Sequence, residues 1–203
     1  MKRTTIILLL TLLSISVLSA QTTWKADKSH SRVGFTVTHM IISELTGGFT
    51  DFDVTIVTTK DDFSDAKIEA VIKTTSINTD NEYRDKHLRS DDFFNAEKFP
   101  DMTFKSTKIE KAGADTYNIT GDLTIRDVTK PVILNANYRG QVTSGGRTKA
   151  GFKATTTIDR FEFGTKWNAA IETGGFVVGK SVDITLLMEL NKQQPAGEAP
   201  PKK

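Results

Sequence analysis

The sequence predicts an all-β fold of antiparallel strands with one short helical insertion around residues 80–95. Two observations carry this prediction: apolar and polar residues alternate along several stretches, and turn-forming sequences separate those stretches. A period of two is typical of a strand with one buried and one solvent-facing side. Turn signals such as Gly47-Gly48 and Ser144-Gly145-Gly146 occur at the spacing of a meander, in which each strand pairs with the next.

The alternating stretches are each predicted to be half-buried antiparallel strands. They run over Val33–Val37, Ile68–Ile72, Tyr117–Ile125, Val132–Tyr138, Phe152–Ile158 and Val182–Leu190. Such a meander avoids open edges either by stacking as two sheets or by closing into a barrel, and periodicity does not choose between these. The inward face of the first stretch also carries Ser31 and His39, which favours an interior that meets something polar.

The insertion carries helix signals of its own. Thr79 and Glu82 fit a capping box, in which Thr79 caps the helix and Glu82 reaches back to its start. Asp85 and Arg89, four residues apart, are expected to pair along the helix. Ser90 and the acidic residues after it predict the start of a second short helix. The insertion residues expected to face the interior are Leu88, Phe93 and Phe94.

The first twenty residues have the pattern of a secretory signal peptide. Lys2-Arg3 precedes an apolar run from Ile6 to Leu18, which is too short to span a bilayer. Ser19-Ala20 supplies small residues for cleavage. We therefore expect a periplasmic or secreted protein.

Composition excludes several classes of function. The chain has no cysteine, which rules out disulfides, thiol catalysis and a lipoprotein anchor. Its 27 Lys and Arg and 25 Asp and Glu balance once Lys2-Arg3 leaves with the leader, so nucleic acid is not an expected partner. No later segment has the ~20 apolar residues of a membrane helix, so stable membrane insertion is not expected either. Residues 21–190 suit one domain, followed by a disordered tail at 191–203.

Motifs for catalysis or cofactor binding find little support. Gly174 to Ser181 satisfies the phosphate-loop formula, but the residues after it alternate as a strand instead of opening a helix. His30, His39 and His87 share no metal-ligand spacing, so neither a metal nor another cofactor is expected. The sequence also lacks the G-x-S-x-G elbow of α/β-hydrolases.

The segment from Thr157 to Gly164 places Arg160 beside two phenylalanines at the end of a strand. This arrangement is typical either of a charge-capped strand with aromatic side chains under a loop, or of an aromatic-lined opening with one cation for a polar group. Trp167 and Phe176 in the following loop favour the second interpretation.

Nearly the whole chain after the leader resembles the YceI family of exported, lipocalin-like proteins. The resemblance is carried by the segments WKADKSHSRVGFTVTH, TGGFTDFD, RDKHLRSDDFFNAEKFP, GDLTIRDVTKPV and AGFKATTTIDRFEFG. It implies an eight-stranded antiparallel lipocalin-like β-barrel with a short helical insertion. It also implies a tunnel that binds a long polyisoprenoid chain, such as a polyprenyl quinone or a polyprenyl phosphate. Some members are associated with stress responses, and no chemistry is established for the family as a class.

An isoprenoid tail needs a long apolar lumen, because burying each CH₂-sized unit contributes ~0.8 kcal/mol. The inward residues expected to line this lumen are Val33, Phe35, Val37, Phe49, Ile68, Ile72, Leu123, Ile125 and Phe152. A polar head group is expected at one end of the barrel, where the candidate contacts are His39, Arg84, His87 and Arg160. The apolar loop from Met40 to Leu45 beside that end is suited to form a gate or to touch a membrane.

Three functions remain open at this point. The first is non-enzymatic binding, transport or sequestration of an isoprenoid lipid. The second is an enzyme that acts on a hydrophobic substrate through His39, Asp85 and His87, which requires these groups to lie close together and beside the cavity. The third is a stress-related structural protein whose barrel is fully packed. Exposed edges and loops leave room for a homodimer.

Overall fold

The computed structural model describes residues 21–172 and 174–194. In them the chain forms one α-helix, α1 (Glu82–Arg89), and eleven strands. The strands are β1 (Thr22–Ala26), β2 (Arg32–His39), β3 (Ser43–Phe49), β4 (Phe52–Thr58), β5 (Lys67–Lys73), β6 (Ile77–Asn78), β7 (Asp101–Lys111), β8 (Thr116–Ile125), β9 (Val128–Ser144), β10 (Arg147–Asp159) and β11 (Val178–Lys192). Short 3-10 turns lie at Thr74–Ser76 and Arg160–Phe163. Among the residues described, no helix has the length and apolar character needed to cross a membrane.

The strands close into an antiparallel barrel. The ring runs β1, β4, β5, β7, β8, β9, β10, β11, and it closes because β11 also pairs with β1, where Trp24 lies opposite Lys192. β2 continues β1 along β11, while β3 and β6 extend the ring beside β2. The barrel therefore has eight strands around its ring. Three of them, β1, β4 and β5, are continued along the wall by β2, β3 and β6. The prediction of an eight-stranded antiparallel barrel is confirmed, and the two-sheet stack that periodicity left open is excluded.

β8 illustrates how the alternating pattern builds the wall. Tyr117, Ile119, Leu123 and Ile125 are buried, whereas the residues between them are more exposed or are glycine. Because successive side chains of a strand point to opposite faces, the inward faces of all eight long strands meet in one continuous apolar core.

One end of the barrel is sealed by the loop between β4 and β5. Phe63 in this loop is only 4% exposed. Its ring packs among three aromatic rings at centroid distances of 5.0–5.6 Å, those of Trp24, Tyr138 and Phe152. An aromatic cluster of this kind excludes water, so this end forms a closed floor.

The opposite end is the mouth. The pairing of β9 with β10 stops at Asn135 opposite Thr155, and the two strands separate from there toward the mouth. The 3-10 turn at Arg160–Phe163 packs against β9 in this gap. The segment after α1 lies beside it, since Arg126 donates hydrogen bonds to the carbonyl groups of Asp91 and Phe93 at 2.8 and 2.7 Å. The mouth is thus built from loops instead of strands.

α1 does not begin with the predicted capping box. Its N-cap is Asn81, whose side-chain oxygen accepts a hydrogen bond from the Arg84 amide at 3.0 Å. Thr79 instead donates its amide and its hydroxyl to the buried carboxylate of Asp85, at 3.0 and 2.5 Å. The predicted capping box is therefore wrong, because Thr79 hydrogen-bonds to the buried Asp85 carboxylate instead of capping the helix.

The predicted Asp85–Arg89 pair and the second helix are also wrong. Asp85 points into the protein and is 4% exposed, whereas Arg89 reaches Glu82 at 3.3 Å on the surface. Ser90 ends α1, because its amide donates to the carbonyl of His87 at 3.0 Å and turns follow it. Burial of Asp85 against Thr79 overrides the pairing expected from spacing alone.

The limits of the barrel differ slightly from the prediction. β11 continues through Lys192, so the predicted domain end at residue 190 falls two residues short of the strand. Asn191 and Lys192 belong to the wall and not to a tail. The predicted signal peptide at 1–20 and residues 195–203 of the predicted tail lie outside the described residues.

Candidate ligand-binding cavity

The barrel interior holds a cavity of about 250 Å³, and almost all of the side chains around it are apolar. The nine residues predicted to face the lumen all lie on its wall: Val33, Phe35, Val37, Phe49, Ile68, Ile72, Leu123, Ile125 and Phe152. The three insertion residues expected to face inward, Leu88, Phe93 and Phe94, also line it. That these side chains touch a ligand stays a prediction.

β4 and β7 contribute wall residues that the sequence analysis missed. Val54 and Ile56 come from β4, and Met102 and Phe104 from β7. The signal was present, because apolar and polar residues alternate from Phe52 to Ile56.

Glycines on two strands let large rings lie against the wall. A Cβ atom on Gly121 of β8 would meet Cζ of Phe104 at 2.4 Å, and one on Gly47 of β3 would meet Cζ of Phe35 at 2.6 Å. Both distances are far below ordinary carbon–carbon contact. Each ring thus occupies the space of a missing side chain, which leaves room in the lumen.

Arg160 brings a charged group to the cavity wall at the mouth, although it is only 6% exposed. Its Nε donates to the carbonyl of Gly179 at 2.9 Å and its Nη1 to the carbonyl of Trp167 at 2.9 Å. Its Nη2 donates to the carbonyl of Val178 at 3.2 Å. A guanidinium has five N–H donors, so Arg160 pins the loop before β11 and keeps two donors without a hydrogen-bond partner among the described residues.

The positive charge of Arg160 is weakly compensated. Burial lowers the pKa of the guanidinium from its ordinary value, while the charge of Asp159 acts in the opposite direction. The rings of Phe161 and Phe93 lie 4.2 and 6.0 Å from the guanidinium carbon and give it a cation–π environment. An oxygen acceptor or an anion that reached this point would therefore be stabilised.

The other predicted mouth residues lie off the cavity wall in the described part of the chain. Arg84 is half-buried and donates its Nε to Thr79 Oγ1 at 2.7 Å. Nε2 of His87 lies 2.8 Å from Oδ2 of Asp92, at the partly exposed end of α1. His39 is half-buried at the end of β2. A ligand contact for these three stays a prediction.

A family model described as the YceI-like domain matches residues 24–190. The chain belongs to the YceI family. A UPF0312 protein of Staphylococcus aureus strain USA300 is 36% identical over 172 residues, which cover 84% of this chain and 98% of that protein.

Solved structures of similar proteins agree with the YceI barrel. The Campylobacter jejuni YceI protein is 34% identical with a TM-score of 0.65, covering 83% of this chain and 96% of that one. A polyisoprenoid binding domain from Saccharophagus degradans, implicated in plant cell wall breakdown, has a TM-score of 0.63 at 14% identity. It covers 84% of this chain and 98% of that domain, and at this identity the likeness concerns the fold.

In this YceI-family barrel, the groups considered for catalysis are held away from the lumen. The Asp85 carboxylate accepts from Thr79, and His87 lies beside Asp92 with its ring edge against Phe93. Phe93 lines the cavity, whereas the two catalytic candidates Asp85 and His87 do not. The arrangement therefore lacks an acid–base pair facing the cavity among the described residues.

A charged cluster lies where β1 of the YceI barrel passes into β2. Among the described residues, Asp27, His30 and Glu189 bring three groups capable of binding metal close together. Lys149 already bridges the two carboxylates, with its Nζ 3.2 Å from Asp27 and 2.5 Å from Glu189. Because an ammonium group occupies the position of a cation, the cluster ties β10 and β11 to this bend and does not fit a metal.

Proposed function

We propose that the protein binds a long isoprenoid lipid, of the polyprenyl quinone or polyprenyl phosphate type, inside the barrel and carries or sequesters it without chemical change. The observation that carries the proposal is the cavity inside the barrel, whose wall is almost wholly apolar and has a buried cation at the mouth. The similar domain from Saccharophagus degradans is a polyisoprenoid binding domain, which supports the same ligand class.

The tail of the lipid would occupy the apolar part of the cavity. Pockets for drug-sized ligands measure ~300–1,000 Å³, so a cavity of about 250 Å³ holds only part of a long chain. The remainder requires the wall to widen or the tail to pass the mouth. Met102 and Met188 on the wall are suited to this, because unbranched methionine side chains adapt to different shapes.

The head group would lie near Arg160. Its two remaining N–H donors match the oxygen acceptors of a quinone or of a phosphate, and burial strengthens such hydrogen bonds. The three carbonyl contacts hold the guanidinium in place, so a ligand would meet a preformed donor. His39, Arg84 and His87 are the further candidates for contacts at this end.

We place binding ahead of the two other functions. An enzyme acting through His39, Asp85 and His87 would need these groups on the cavity wall, and they lie off it. A stress-related structural protein with a fully packed barrel would leave no lumen, and the interior has one. Each observation favours a binding protein.

Filling the lumen tests the proposal. Ala154 of β10 lies on the cavity wall, and Ala154→Phe would place a ring in the lumen. We expect uptake of a fluorescent polyprenol to weaken by about tenfold, since the ring displaces roughly two CH₂-sized units of tail. Ala114→Phe, in the exposed turn between β7 and β8, is the matched control and should bind as the unaltered protein does. Equal binding by both variants, with the barrel still folded by circular dichroism, would place the ligand elsewhere.

We also propose that the protein is exported and works in the periplasm or outside the cell. The signal-peptide pattern of residues 1–20 supports this. N-terminal sequencing of the protein from its own host should begin at Gln21. A protein that retains Met1 and fractionates with the cytoplasm would contradict the proposal.

A further inference from the structure

The loop between β2 and β3 exposes an apolar tip beside the mouth. Met40, Ile41 and Ile42 are 39%, 59% and 90% exposed, and Phe176 in the neighbouring loop is 54% exposed. These four residues form the mouth patch. Single exposed apolar residues are common on protein surfaces, but a contiguous cluster is typical of a contact site.

The mouth patch is continuous with the cavity wall. The Met40 amide donates to the carbonyl of Val177 at 2.8 Å, and Val178 on the next position lines the cavity. A Cβ atom on Gly175 would lie 2.6 Å from Cδ1 of Ile41, so Ile41 packs directly on the loop before β11. A molecule bound at the patch would therefore face the route into the lumen.

The backbone of the tip is held in an uncommon conformation. Met40 and Ile41 have φ angles of 53° and 70°, in the left-handed region. A β-branched isoleucine is disfavoured there, and hairpin turns with positive φ angles usually contain Asn or Gly. The tip thus departs from the residues that would best stabilise the turn, and strain of this kind concentrates at functional sites.

We propose that the mouth patch inserts into the surface of a lipid bilayer, so that the open end of the barrel faces the membrane from which the lipid is taken. This rests on the proposed function, since an isoprenoid lipid resides in a bilayer. Ile42 at the tip is 90% exposed, which suits insertion between lipid molecules. The contact is peripheral and reversible, because it involves a few side chains.

The charges around the mouth patch predict how it binds. Glu44 in β3 and Glu172 in the loop before β11 are exposed, and exposed Lys180 lies 3.7 Å from the carboxylate of Asp159. Because charges of both signs are present, anionic lipids should add little to the affinity for the membrane. Insertion of the apolar side chains supplies the attraction. Binding to zwitterionic vesicles should accordingly change little between low and high salt.

The test uses the mature protein from its own host and unilamellar phosphatidylcholine vesicles containing a fluorescent polyprenol. We expect the protein to float with the vesicles, and the double variant Ile41→Ser/Ile42→Ser to lower its partition coefficient roughly tenfold. Val142→Ser is the matched control, because Val142 is 60% exposed near the far end of β9. Extraction of polyprenol from vesicles should slow in the double variant, while uptake from detergent micelles stays unchanged.

A labelling experiment gives an independent readout. The chain has no cysteine, so Ile42→Cys and Val142→Cys each provide one thiol for an environment-sensitive dye. On adding vesicles we expect a blue shift from the dye at position 42 and none from the dye at position 142.

Different failures separate the two proposals. Normal uptake from micelles without flotation or a blue shift would overturn docking alone, and a dimer joined through the mouth patch would overturn it as well. Absence of uptake from both vesicles and micelles would overturn the proposed function.

Discussion

Single charged residues at the mouth mainly hold the structure together. Arg84 binds Thr79, His87 lies against Asp92, and Arg160 binds three main-chain carbonyl groups. Many charged groups in one short segment therefore do not indicate catalysis here. Arg160 differs from the others, because it also reaches the cavity wall.

Replacing Arg160 should loosen the loop before β11. In Arg160→Leu three carbonyl groups lose their donor, so we expect the free energy of unfolding to fall by about 3 kcal/mol. Urea denaturation measures this loss. Arg147→Leu, at the exposed first position of β10, should change stability by less than about 0.5 kcal/mol. Equal stability of the two variants would show that Arg160 does not pin the loop.

Asp65 makes the floor of the barrel sensitive to acid. Burial raises the pKa of its carboxyl, but hydrogen bonds from Thr58 and Thr59 lower it more, so the pKa lies below its ordinary value of 3.8. A lowered carboxyl pKa stabilises the fold above the pKa of the unfolded chain, and this contribution is lost as the pH falls through the folded value. Stability should therefore decline below about pH 4.

The variant Asp65→Asn tests this sensitivity. It loses the charge that accepts these hydrogen bonds, so we expect about 2 kcal/mol less stability at pH 7. Its stability should also change less than that of the unaltered protein below about pH 4. Urea denaturation at several pH values measures both effects, and parallel pH profiles for the two proteins would contradict the role of Asp65.

At the scale of elements, the strands were predictable and the helix contacts were not. The period of two identified inward residues such as Val33 and Leu123 correctly, because neighbouring residues on one strand decide it. Thr79 does not cap α1, because it binds Asp85 six residues further on, and the burial of Asp85 depends on packing that the local sequence does not show. For Arg160 the sequence left two interpretations open, a charge-capped strand and an aromatic-lined opening. It could not decide between them, because the carbonyl partners of Arg160 belong to other segments.

The segment after α1 should slow the release of lipid. Phe93 lines the cavity, and its ring lies 5.5 Å from that of Trp167 and 5.1 Å from that of His87. Phe93→Ala removes this packing, so we expect faster lipid release and about 3 kcal/mol less stability. Stopped-flow transfer to acceptor vesicles measures the rate. Tyr83→Ala, at an 87% exposed position of α1, should leave it unchanged. Equal rates of lipid release from the two variants would show that the lipid does not leave the barrel past Phe93.

For the whole molecule, closure of the barrel depends on the two ends of the described chain. β1 and β11 pair across the whole length of the described chain, and local periodicity carries no information about that pairing. The resemblance to the YceI family supplied what the alternation left undecided. The closed barrel has a floor at Phe63 and a mouth at Arg160, so its two ends differ.

Identification of the lipid that co-purifies with the protein from its own host tests the central claim most directly. Native mass spectrometry should show the mature chain with one additional mass, and organic extraction should release a polyprenyl quinone or a polyprenyl phosphate. Repeated purification of an empty barrel that also takes up no added polyprenol would contradict the account.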